Sequence, residues 1–296
     1  MTLLLLVAGL LAGTPASNLS ARRVPTSVRM PADLIVGRAA CGGTTWFLTD
    51  RPALIAVAHA APDPVVTPVK GLRFEDHPWG LACLPDGSLW TLATNTTLVR
   101  LGTDATVRDR AAQKLPRMAL FGWTNRLLLV ELPLSVGKPL FTAVSVNRGV
   151  TKPWPSLVAR SADTRATLLA RNLANCGIAR GSSLPCWFAD DRRAVISDGT
   201  SAYAVAFPTL SAHDADPEAP IWDLAFQNDD GFWLLVATKG GARAHKAGGR
   251  LVSTDKKGTE VSSLPLSIPV RSIVAANDRR CLLLAVDGTL LEVVRR

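Results

Sequence analysis

The sequence predicts an all-β chain: a six-bladed β-propeller of four-stranded antiparallel blades, its ring closed by an N-terminal strand that joins the last blade. Three observations predict it. A strand–turn–strand unit recurs at a period of roughly 45 residues. A proline stands just ahead of the first strand in five of six copies. The last copy runs out of chain one strand short, while a strand without a blade of its own lies near the start.

The unit is clearest in "WGLACLPDGSLW", Trp79 to Trp90, and "WDLAFQNDDGFW", Trp222 to Trp233. The two share their length, both flanking tryptophans, the Leu-Ala pair and the aspartate of the turn. A catalytic motif is not normally written twice in one chain; a building unit is. Weaker copies are "LIVGRAACGGTTWFLT" from Leu34, "RMALFGWTNRLLLVE" from Arg117, "CGIARGSSLPCWF" from Cys176 and "RSIVAANDRRCLLLAV" from Arg271. Each reads as an apolar run, a polar or glycine-rich turn and a second apolar run, the pattern of a β-hairpin. Trp46, Trp90, Trp187 and Trp233 share one place in the second strand, so packing between blades explains them better than ligand stacking.

Pro31, Pro78, Pro116, Pro220 and Pro269 mark the strand entrances, where no ladder N–H is needed. The fourth copy has Ala174-Asn175 instead. Blades are expected to start near residues 33, 78, 117, 175, 221 and 270. Further strands such as "TLVRLGT" and "GRLVSTD" complete four per blade. The third copy is long, and residues 131–161 read as an insertion that breaks the repeat. At the ends, "RRVPTSVRM" (residues 22–30) is expected to supply the outer strand that the last blade lacks, which limits free sheet edges.

Composition sets the class. With 48% apolar and 19% charged residues in 296, the chain can bury a substantial core and does not read as disordered. Residues 1–16 hold a hydrophobic run from Leu3 to Leu11 followed by small residues. This is the pattern of a signal peptide cleaved near Ala16, and it implies a secreted or periplasmic protein. Residues 17–296 then form one domain, with no later membrane span, expected as a monomer. The net charge is +9. Its most visible carriers are the pairs Arg22-Arg23, Arg192-Arg193, Arg279-Arg280 and Arg295-Arg296. They are scattered along the chain without interleaved aromatics, so a solvated basic surface is favoured over nucleic-acid binding.

The five cysteines include no Cys-x-x-Cys, and the four histidines have no zinc-finger spacing. Export favours disulfides. Two pairings are expected: Cys176–Cys186 across a tight hairpin, and Cys41–Cys281 between the first and last blades, with Cys83 left buried and free. No Gly-x-Ser-x-Gly elbow and no cysteine–histidine arrangement marks a nucleophile.

The stretch "HPWGLACLPDGSLWTLATNTTLVRLGTDATV" resembles the blades of the NHL, SMP-30/gluconolactonase and virginiamycin B lyase-like propellers, which carry a "P-x-G-I-A … D-G-x-[IL]-W" blade. The resemblance concerns the fold superfamily, whose members have many functions. It implies a funnel on the face where the chain enters each inner strand. Glu75, Asp76, His77, Trp79, Asn95, Asn175, Asp190, Asp191, Glu218, Trp222 and Asp223 map to that face. His77 and Asp223 are the candidate catalytic groups, and Glu75, Asp76 and Glu218 the candidate metal ligands, for calcium or magnesium. Trp79, Trp222, Asn175 and Asp190, with Trp154 from the insertion, are the candidate ligand contacts. Lys138 and Lys152 of the insertion suit an acidic partner.

Solvated loop residues that merely turn the chain explain most of these positions equally well. The favoured expectation is therefore a binding or scaffold module for a protein or glycan partner, needing no cofactor. The alternative is a metal-dependent enzyme of lactonase or lyase type.

Overall fold

The structure is a computed structural model that describes residues 18–84, 86–94, 97–112, 118–123, 126–131, 141–145, 150–153, 158–159, 186–190, 193–197, 201–206, 221–227, 231–236 and 248–296. The expected signal peptide lies outside them. Among the described residues every long element is a strand, and no helix is long and apolar enough to cross a membrane. Strands win here because apolar and β-branched runs of five to seven residues are separated by turns with dedicated chemistry. In four of those turns an aspartate side chain accepts backbone N–H groups two or more residues on: Asp86 from Ser88, Asp104 from Thr106, Asp255 from Lys257 and Thr259, and Asp287 from Thr289. Another hairpin turns on Gly42 and Gly43, whose φ values of 56° and 74° suit a two-residue turn with both centres left-handed.

After an N-terminal strand β1 (Leu19–Arg23), the first sheet runs β2 (Ile35–Cys41), β3 (Thr44–Thr49), β4 (Ala53–Ala58) and β5 (Pro64–Pro68). The second runs β6 (Trp79–Cys83), β7 (Leu89–Ala93), β8 (Thr97–Leu101) and β9 (Val107–Ala112). The third is β10 (Met118–Trp123), β11 (Arg126–Glu131), β12 (Phe141–Ser145) and β13 (Val150–Pro153). These three are antiparallel meanders. In the fourth, β14 (Val158–Ala159) pairs in parallel with the last strand of the antiparallel set β15 (Cys186–Asp190), β16 (Arg193–Ser197) and β17 (Ser201–Ala206).

The remaining sheet has seven strands: β18 (Ile221–Gln227), β19 (Gly231–Val236), β20 (Gly248–Asp255), β21 (Glu260–Ala276), β22 (Arg280–Ala285), β23 (Leu290–Arg295) and, at its edge, β1. β21 is shared. Glu260 to Pro265 pair with β20, and Val270 to Ala276 pair with β22. The sheet is thus two four-stranded units joined through one long strand.

Three expectations are corrected. Residues 141–153, expected within an insertion, include the two regular strands β12 and β13, because β12 pairs with β11 and β13 in turn with β12. The strand expected over residues 22–30 is instead Leu19–Arg23, pairing Leu19 with Arg295 and Arg23 with Leu291. Pro25 has no N–H to donate, and the chain from Val24 becomes a strap: Val24 N–H bonds Leu290 O, Ser27 N–H bonds Asp63, and Met30 is buried. The disulfide joins Cys41 to Cys83, and Cys281 is free and buried, so the expected Cys41–Cys281 bridge is not formed. The cause is register. Cys41 and Cys83 end the adjacent strands β2 and β6, with Cα atoms 6.1 Å apart, whereas Cys281 lies on β22 and faces the core beside Trp233. Cys176 lies outside the described residues.

The first and second sheets are covered on both faces, so their middle strands read as largely apolar runs. β7 and β19 are buried along their whole length. Ala39, Leu48, Leu81 and Leu89 fill the space between the first and second sheets; Ala82, Trp90, Leu120 and Leu127 that between the second and third. Phe47, Ile55, Val274 and Leu282 join the first sheet to the last unit. There Thr45 Oγ1 donates to Val274 O at 2.6 Å, so the contact of 2.8 Å with His59 Nε2 is one in which the imidazole donates. Three of the four tryptophans expected in second strands stand opposite a small inner-strand residue, Trp46 opposite Ala39, Trp90 opposite Ala82 and Trp233 opposite Ala225, whereas Trp187 of β15, an end strand of its sheet, pairs with Val195. The small residue makes room for each of those three indoles.

Candidate functional site

The first strand of a sheet, β2, β6 or β18, opens with a shift in register, between Ile35 and Gly37, Trp79 and Ala82, and Ile221 and Asp223. The second half of β21 opens the same way, between Val270 and Ser272. Such bulges kink a strand and re-aim its side chains. They bring β2 and β6 so close that a Cβ on Gly37 would stand 2.5 Å from the carbonyl carbon of Gly80.

One bulge aims Asp223 at two other strands. Arg38 of β2 donates from Nη1 to Asp223 Oδ2 at 2.5 Å and from Nη2 to Oδ1 at 3.1 Å. Ile273 N–H of β21 adds a bond of 2.7 Å to Oδ2, and Leu224 N–H one of 2.9 Å to Oδ1. Arg38 also donates to Ile273 O at 2.5 Å. Asp223 is 4% exposed, and its two oxygens already accept four hydrogen bonds. A carboxylate so occupied serves structure: it ties three inner strands together and has few lone pairs left for a cation. Its charge has one further effect. Burial, reinforced by Asp223, pushes the Cys281 thiol well above its ordinary range.

The other candidates gather at the turn entering β6. Phe74–Asp76 form a single 3-10 turn, ended by His77 in the left-handed region at φ 42°. Asp76 Oδ2 caps this turn by accepting Arg73 N–H at 2.8 Å, and Arg110 of β9 lies 3.5 Å away. Asp76 therefore faces the outer strand of its own sheet. Glu75 is exposed, and its carbonyl accepts the Thr94 hydroxyl at 3.1 Å. Phe74, 51% exposed, meets the exposed His77 ring edge to face at 5.6 Å. Trp79 is half-buried against the cluster of Trp90 and Leu120, between the second and third sheets.

Trp222 and Asp190 take strand positions on β18 and β15. Asn95, Trp154, Asn175, Asp191, Glu218 and Lys138 lie outside the described residues, and Lys152 is on β13. Among the described residues no group of three or more His, Cys, Asp or Glu side chains is placed to hold a metal ion. Sequence reading missed Arg38. The available signal was a charged residue inside the apolar run "LIVGRAAC", next to the glycine of the close approach.

No protein-family profile matches the chain, and no curated protein matches it in sequence. Solved structures do match in shape. YCF48 bound to D1 peptide aligns with a TM-score of 0.50 at 9% identity, over 96% of this chain and 99% of that one. Selenomethionine-substituted virginiamycin B lyase from Staphylococcus aureus aligns with a TM-score of 0.48 at 10% identity, over 93% and 99%. BamB from Moraxella catarrhalis gives 0.47 at 11%, over 88% and 85%. Together with its four-stranded antiparallel sheets, the likeness to YCF48 makes this chain an all-β protein of the β-propeller type.

Proposed function

We propose that this chain is an exported six-bladed propeller, its ring closed by β1 on β23, and that it acts as a binding module for a protein or glycan partner. The partner docks on the face where the chain enters the inner strands. The observation that carries this reading is the Phe74–His77 turn: an aromatic pair held outward by a capped turn rather than folded into the core. Exposed aromatics on a stiff support are effective anchors for a partner. Asp223, the acid best placed on an inner strand, is committed to Arg38 and Ile273, which favours binding over catalysis. YCF48, a protein of similar fold, is seen bound to a peptide. The Cys41–Cys83 disulfide is the chemistry of an oxidising compartment and supports export.

Peptide and glycan arrays probed with residues 17–296 test this reading. Binding is expected, and Phe74→Ser is expected to weaken it at least about tenfold, as loss of an anchor does, without moving the melting curve. Retention of full binding by Phe74→Ser overturns it. So does a calcium- or magnesium-dependent turnover that His77→Ala abolishes.

A further inference from the structure

We infer that the last blade carries a second binding surface, a cationic surface built from five arginines of three Arg-Arg pairs, and that it takes a linear anionic polysaccharide. Pairs 22-23, 279-280 and 295-296 are scattered in sequence, yet the pairing of β1, β22 and β23 gathers them on one sheet. Arg22 stands opposite Glu292, Arg280 opposite Val294, and Leu19 opposite Arg295. Arg295 N–H bonds Arg279 O, and Arg296 N–H bonds Asn18 O.

Glu292, 5% exposed, receives both Arg22, whose Nε donates at 2.6 Å, and Arg280. One buried carboxylate thus holds two guanidinium groups side by side while cancelling a single charge. Arg23, Arg279 and Arg296 are exposed, and among the described residues no ion pair engages them. Of the other acids of this blade, Asp287 is bridged by Arg29, and Asp278 precedes Arg279 in the β21–β22 turn. Arg295 turns inward, its guanidinium 5.3 Å from the Trp233 ring, and is not part of the surface.

Shape selects the partner. From the level of Arg22 to that of Arg296 is four strand residues, about 14 Å at ~3.4 Å each, and β22 lies two strands, about 10 Å, in from the edge strand β1. β1 is the terminal strand of its sheet, so its outward row of backbone donors and acceptors adjoins the guanidinium groups. Guanidinium forks match carboxylate and sulfate groups, and strand-edge amides match hydroxyls. A polysaccharide with regularly spaced acids offers both. Single-stranded nucleic acid calls for aromatic stacking platforms, and no aromatic is exposed on this blade among the described residues. Arg279 and Arg296 lie by the β21–β22 turn, at the far end of the strands from the entrance face, while Arg22 and Arg23 lie nearer the β22–β23 turn; the surface belongs to the last sheet and the Phe74 turn to the second.

The test titrates residues 17–296 with polygalacturonate and with heparin across a range of salt. A triple substitution of Arg23, Arg279 and Arg296 to Ala is compared with a control triple of Arg51, Lys256 and Lys257 to Ala, which removes the same charge. The arginine triple is expected to lose at least about tenfold in affinity and to flatten the log–log salt slope by about two to three units, at ~0.7–0.9 per lost contact. The control and Phe74→Ser are expected to bind as before, and all variants keep the parent melting temperature because Arg22, Arg280 and Glu292 are untouched. Equal losses in both triples would reduce the effect to net charge and overturn the inference. Tighter binding of single-stranded DNA or of phosphatidylglycerol vesicles than of either polysaccharide would also overturn it.

Discussion

Arg38 and Asp223 stand 185 residues apart in sequence and meet through a two-pronged ion pair, with side chains 15% and 6% exposed. The pair links β2 to β18 while Ile273 of β21 bonds to both partners. Removing either partner strands a buried charge, which typically costs about 3–5 kcal/mol. Arg38→Ala and Asp223→Ala are each expected to lower unfolding free energy by that amount in urea titrations. The double variant Arg38→Met/Asp223→Leu is expected to lose less than either alone. A loss near zero in Asp223→Ala would show that the carboxylate is not a structural tie.

Gly37→Ala is expected to cost at least about 2 kcal/mol, because the new methyl would overlap the Gly80 backbone, which has no rotamer with which to yield. Gly42→Ala provides a contrast. Space is open there, and only the φ of 56° penalises a side chain, by about 1–2 kcal/mol. Denaturant midpoints of the two variants separate overlap from backbone strain.

The Cys41–Cys83 bridge closes a loop of 42 residues, for which the chain-entropy relation gives about 4 kcal/mol. Reduction, or Cys83→Ser, is expected to remove most of that. Peptide mapping without reductant is expected to recover the two cysteines in one linked fragment, and Cys281 to resist alkylation until the protein unfolds.

Cys281 also sets part of the alkaline limit. Its thiol is raised by burial first and by the Asp223 charge second. The unfolded thiol ionises near the ordinary value of 9.0 while the folded one stays protonated, so above that pH the unfolded state has released a proton that the folded state retains. The contribution is therefore complete below about pH 9 and declines as pH rises toward the folded value. Cys281→Ala is expected to have a shallower loss of stability than the parent between pH 9 and pH 10.5, measured by urea unfolding at each pH.

The blade pattern was legible because it is local. A strand, a turn and a strand within about 15 residues leave their alternation, their aspartate or glycine turn and their tryptophan in one window. Trp90 opposite Ala82 and Trp233 opposite Ala225 are read from a single hairpin each. The third blade was only partly legible. The apolar runs of β12 and β13 were present, but Pro133, Pro139 and Pro153 around them read as an irregular excursion. The disulfide had a signal that went unused: Cys41 and Cys83 are one repeat apart and end equivalent strands.

Residue order alone determined the class of fold, the hairpins, the burial of the second strands and the presence, though not the bounds, of an N-terminal strand beside the last one. These follow from periodicity and turn chemistry, which act over a few residues. Tertiary structure alone decided which cysteines bond, that Arg38 rather than solvent satisfies Asp223, and that three distant arginine pairs come together on one sheet. Each of these depends on the register between strands far apart in the chain. Register is set by how the sheets pack side by side, a property that no single stretch of sequence contains.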